Sequence, residues 1–159
     1  MRGVVLLALC AVQGACAFVT VPGARSMNAD ELDAQLVTVG AWSVRIGGVL
    51  PQACVSRLER TKVAASGCAV FTAACGAGCL DHAACLTFDD TEGGHDVIVI
   101  NVDHRRYEPG YWHGTAIVHE TIHQLAGCTH PYHWQDPYHD DPRLWTGTES
   151  VQDTAKGAL

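Results

Sequence analysis

The spacing of apolar positions changes several times along this chain, and each change predicts a different element. Val4 to Val12 is apolar without a break, follows Arg2, and leads into the small residues Ala15-Cys16-Ala17. That order predicts a secretory leader at residues 1–17, cut after Ala17, and the run falls short of the roughly 18 apolar residues a bilayer needs. Phe18 to Met27, with Pro22 and Gly23, reads as an irregular lead. Asn28 or Asp30 caps a short helix through Leu36. Val37 to Val49 mixes β-branched residues with Gly40, Gly47 and Gly48, which predicts one or two strands. Pro51 to Ala65 reads as a helix carrying Val55, Leu58 and Lys62. Gly67 to Cys85 is small and rich in Ala and Cys, as in a disulfide-pinned helix or loop. Leu86 to Phe88 and Asp96 to Val102 read as strands, and Val97-Ile98-Val99-Ile100 has the continuous apolar character of a buried one. His104 to Gly110 is a polar loop. Gly114 to Ala126 is helical, with Gly127 placed to terminate it. Beyond Gly127 the chain turns irregular, until Thr146 or Thr148 caps a last short helix. The expected fold is α+β: one small domain over residues 18–159, with a twisted sheet packed on a helix.

Composition narrows the setting. The 159 residues suit one domain. The formal net charge is -7, which argues against nucleic acid and anionic membranes as partners, since both select basic patches. Of eight cysteines, Cys10 and Cys16 lie in the leader. Cys54, Cys68, Cys75, Cys79, Cys85 and Cys128 remain, an even set that predicts three disulfides in an exported protein, in a pairing the sequence leaves open. The cluster Cys68, Cys75, Cys79 and Cys85 also has the look of a thiolate metal site, although an oxidising compartment favours disulfides. A soluble, extracellular monomer is expected.

The chemistry concentrates in His119-Glu120-Thr121-Ile122-His123. On a helical wheel that starts at Ile117, the residues Ile117, Thr121, Leu125, Val118, Ile122 and Ala126 fill an arc from about 0° to 180°. His119 and His123 fall at about 200° and 240°, one turn apart, and Glu120 at about 300°. Two imidazoles so placed can each give a nitrogen to one Zn²⁺ at about 2.0–2.1 Å, while the glutamate reaches water rather than metal. A zinc-activated water with Glu120 as general base is the arrangement that hydrolyses a peptide bond. The bland alternative is a surface helix whose His and Glu are merely solvated. A site of this type needs a third protein ligand. His130 is the first candidate. His133, Asp136, His139, Asp140 and Asp141 follow it, and Glu149 with Asp153 forms a separate pair one turn apart that could give a ligand and a partner for a ligating histidine.

His119-Glu120-Thr121-Ile122-His123-Gln124-Leu125-Ala126-Gly127-Cys128-Thr129-His130 resembles the signature of the zincin metallopeptidases. Among them it is most similar to the metzincins, with one extra residue before the glycine. Cys85-Leu86-Thr87-Phe88, the strand around Val97 to Ile100, and Gly114-Thr115 ahead of the motif are similar to the astacin branch. Glu149 with Asp153 resembles the gluzincin pattern, and Thr146-Gly147-Thr148-Glu149 faintly resembles the aspzincin one. No methionine follows the motif, where metzincins place one. The resemblance implies a zincin-like fold and zinc held by His119, His123 and His130. It also implies Glu120 as base, and a protein or peptide substrate laid along the edge strand of the sheet. The competing expectation, from another class, is a disulfide-rich secreted binding protein that keeps a zincin-like shape without catalysis.

Overall fold

Four consecutive apolar side chains can all be buried only if both faces of their strand are covered, and Val97-Ile98-Val99-Ile100 meets that condition. The computed structural model describes residues 20–76, 78–80, 82–88, 94–104, 111–129 and 148–158. Their order is β1 (Arg25–Ser26), α1 (Ala29–Ile46), α2 (Gln52–Glu59), β2 (Lys62–Ser66), α3 (Cys68–Cys75), β3 (Ala84–Thr87), β4 (Val97–Asn101), α4 (Tyr111–Thr129) and α5 (Thr148–Ala158). The expected leader, residues 1–17, lies outside the described residues.

The sheet order is β1-β2-β4-β3. β2 runs parallel to β4, while β1 and β3 run antiparallel to their neighbours. Alternation along the strands builds two cores. Val63, Ile98, Ile100 and Leu86 face α1, α2, α4 and α5. Ala64, Val97, Val99 and Cys85 face α3, where Phe71 is fully buried. The molecule is therefore mixed α+β, a small four-stranded mixed sheet between helices, and α4 lies beneath β3 and β4.

Three expectations for the first half are corrected. Residues 37–46 are not strand but the continuation of α1. Glu31, Ala34, Gln35, Thr38 and Trp42 are buried at helical spacing, so packing overrides the β-branched composition. Asn28 starts the helix with a full capping box: Glu31 N–H donates to Asn28 Oδ1 at 2.9 Å and Asn28 N–H to Glu31 Oε2 at 2.8 Å. Gly47 ends it at φ 63°, the left-handed conformation glycine adopts without strain. The expected helix over 51–65 is really α2 followed by a turn and the inner strand β2. The Arg60 and Thr61 amides close that turn on Arg57 and Leu58. The lead is not wholly irregular either, since Arg25 and Ser26 pair with Val63 and Lys62.

The cysteines form three disulfides, Cys54–Cys128, Cys68–Cys79 and Cys75–Cys85. That removes the thiolate metal site as an alternative. Two bridges tie α3 to the segment around β3, and the third ties α2 to the last turn of α4. Among the described residues no helix is long and apolar enough to cross a membrane.

Candidate metal centre

α4 supplies the site, and its burial is wider than its sequence pattern suggested. The expected core arc is all buried, Ile117, Val118, Thr121, Ile122, Leu125 and Ala126 each at 3% exposure or less. Ala116, Glu120 and Gln124, on the expected solvent side, are buried as well. The sector of His119 and His123 is half-buried and gives α4 its reactive opening.

A helix end is also displaced. Gly127 does not terminate α4. It is buried inside the last turn, which runs on to Thr129, and the Thr129 hydroxyl donates to the Leu125 carbonyl at 2.7 Å. The Cys54–Cys128 bridge holds this turn on α2, and such a cross-link favours continued helix over an exit at the glycine. The helix therefore carries the backbone about 9 Å past His123 by Thr129, at roughly 1.5 Å per residue.

The register of α4 is fixed from its other side by a buried polar cluster. Gln124 Nε2 donates to Asp96 Oδ2 and to Thr61 Oγ1, both at 2.8 Å. Asp96, fully buried before β4, receives Arg57 Nε at 2.6 Å and a second guanidinium nitrogen at 2.8 Å. This bidentate pair compensates the buried carboxylate. Arg57 on α2, Asp96 just ahead of β4 and Gln124 on α4 are far apart in the chain, so nothing in the linear order joins them.

On the open sector, His119 Nε2 and His123 Nε2 point at one another across 3.2 Å. Two donors of one cation at about 2.0–2.1 Å each lie roughly 3.2–3.4 Å apart in tetrahedral coordination, so the pair is already spaced as ligands. The far nitrogen of His119, Nδ1, is 2.9 Å from the side-chain amide of Gln152 on α5. A second hydrogen bond of that kind orients a ligating imidazole. Sequence reading had offered Asp153 for this place, and the packing of α5 explains the difference. Val151 and Ala155 are its buried stripe, which turns Gln152 toward α4 and leaves Glu149 and Asp153 exposed.

Glu120, between the two histidines in sequence, is 4% exposed. Burial raises its carboxyl from 4.5 to about 8, because a carboxylate there loses its water. The solvated-helix alternative required the opposite environment. Among the described residues no third His, Cys, Asp or Glu joins the pair in a cation-binding group, Glu149 included. His130, His133, Asp136, His139, Asp140 and Asp141 lie outside the described residues. A groove of about 400 Å³ between α1, α2 and β2, lined by Met27, Leu32, Leu58, Arg60 and Lys62, includes neither histidine. No protein family, curated protein or solved structure matches the chain.

Proposed function

We propose that the chain is a secreted zinc-dependent metallopeptidase with a zincin-like fold. One observation carries the reading: two imidazole nitrogens converge to 3.2 Å on a helix whose intervening glutamate is buried and held as an acid. Buried titratable groups with displaced pKa values concentrate at catalytic sites. The donor set fits Zn²⁺, a metal that takes neutral imidazole nitrogen readily. His119 and His123 would hold the cation, and the resemblance to metzincins implies His130, which lies outside the described residues, as the third ligand.

Bound there, Zn²⁺ supplies a Lewis acid that polarises the scissile carbonyl and acidifies water. With the dication beside it Glu120 would ionise, and as a carboxylate it would take a proton from the attacking water and return it to the leaving amine. The walls around Glu120 leave it 4% exposed and exclude bulk water. β3 is an edge strand packed on α4, and its outer edge is where an extended peptide substrate would add. Three disulfides and a leader cut after Ala17 suit an extracellular protein.

The test uses the full chain, exported and oxidised: metal content by mass spectrometry, then digestion of a broad peptide library. The expected result is one zinc per chain and peptide cleavage that disappears in Glu120→Gln with zinc retained. Absence of zinc binding at micromolar concentration overturns the proposal. Zinc binding without cleavage favours the second reading, a secreted binding protein on the same scaffold.

A further inference from the structure

We infer that Gln152 is the positioning residue of this centre: its amide, which faces His119 Nδ1 with Nε2, turns on cation binding so that its carbonyl accepts Nδ1–H and the Nε2 lone pair of that ring is committed to the cation. The inference rests on the zinc reading and adds a proton-placing partner to it. A neutral imidazole carries one proton on one of two nitrogens. In His119 the nitrogen toward His123 is Nε2, at 3.2 Å, and Nδ1 lies 2.9 Å from Gln152 Nε2, the amide nitrogen. Gln152 therefore touches the one atom whose protonation decides what the other can do.

A primary amide presents two faces, an NH₂ that donates and a carbonyl that accepts, exchanged by a half-turn about its last torsion. With the NH₂ toward the ring, Nδ1 accepts and the proton sits on Nε2. His119 then donates to His123. With the carbonyl toward the ring, Nδ1 keeps the proton and donates it to Gln152, leaving Nε2 a pure donor of electrons. The same three side chains thus have a closed arrangement and a metal-ready one, and a cation selects the second. No bond is made or broken beyond the shift of one proton between the two ring nitrogens through water.

Position on α5 makes this a property of the fold. Val151 and Ala155 seat α5 in the core, so Gln152 has little freedom to leave the ring. A carboxamide can serve both arrangements, whereas a carboxylate accepts only and a hydrocarbon serves neither.

The experiment compares the oxidised full chain with Gln152→Ala and Gln152→Glu, each labelled with ¹⁵N in histidine. Zn²⁺ affinity is read by competition with a chromophoric chelator, and His119 protonation by ¹⁵N-¹H spectra with and without Zn²⁺. Melting curves confirm that each variant is folded. The expected result is a protected His119 Nδ1–H in zinc-loaded wild type and in Gln152→Glu. In Gln152→Ala that proton exchanges with solvent and Zn²⁺ affinity falls about 10–100-fold. Gln152→Ala binding Zn²⁺ within about twofold of wild type overturns the inference while leaving the zinc reading standing. So does Gln152→Glu failing as badly as Gln152→Ala, since any acceptor should rescue. Wild type that binds no Zn²⁺ ends both.

Discussion

Replacing Glu120 by Gln should stabilise the metal-free protein, and increasingly so as pH rises. The carboxyl is 4% exposed, and burial lifts it from 4.5 to about 8. Between those values the unfolded chain has released its proton and the folded chain has kept it. The folded state then binds more protons, and stability falls with rising pH. Below pH 4.5 both states hold the acid and the penalty vanishes; above pH 8 it is complete. Three and a half pH units at about 1.36 kcal/mol each set an upper limit on the order of 5 kcal/mol. Water entering through the histidine sector lowers the realised value. Gln has the same shape and no charge to bury, so its curve should be flat across the window. The assay is thermal unfolding of chelator-treated wild type and Glu120→Gln from pH 5 to 8.5. At about 2–4 °C per kcal/mol, a gap of several degrees should open toward pH 8 and close toward pH 5. Saturating Zn²⁺ should shrink the gap, because a neighbouring dication stabilises the carboxylate. Parallel curves for the two proteins would refute the argument, for they would mean Glu120 is solvated and no more poised than any surface glutamate.

Four further outcomes are expected. Asp96→Ala leaves Arg57 and Gln124 without their shared acceptor in the core, and should cost about 3–5 kcal/mol in urea unfolding. Losing the Cys54–Cys128 bridge, which closes a separation of 74 residues, should cost about 4 kcal/mol by the same measurement. Among single alanine variants, His130→Ala should lower Zn²⁺ affinity in chelator competition as much as His119→Ala, and Glu149→Ala should leave it unchanged. The exported protein should begin at Phe18 when its N-terminus is sequenced.

Local pattern found the elements whose pattern was strong, and failed where two demands competed. β4 was legible because an apolar run fully buried on both faces has few other readings. The core side of α4 was legible because six apolar or small positions repeat at helical spacing. α1 was cut short because Val37, Val39 and Val44 favour strands taken alone. The contacts that overrule them, around Trp42 and Ala34, come from α4 and α5 far along the chain. β2 was hidden for a related reason. Lys62 to Ser66 is short, and its strand character is realised only by parallel pairing with Val97 to Asn101. Gly127 misled because glycine ends many helices, whereas here the neighbouring Cys128 is bridged to α2 and keeps the turn helical.

The site divides along the same line. Spacing alone placed His119 and His123 side by side, because one helical turn requires it. It put Glu120 at an edge, as if reaching outward. What makes Glu120 a candidate base is instead that the solvent side of the wheel is itself covered: Ala116 and Gln124 are buried on either side of it along the helix. A wheel drawn from one helix carries no information about what lies against it. The Arg57–Asp96 pair that fixes Gln124 and the Gln152 amide that meets His119 belong to the same class of fact. Each joins residues at least 28 positions apart, through neutral or mutually cancelled groups that leave no charge pattern in the sequence. The motif therefore names which side chains share one turn of α4. The tertiary neighbours decide what faces each ring nitrogen and how far burial raises the carboxyl between them, and neither is written in the spacing of one helix.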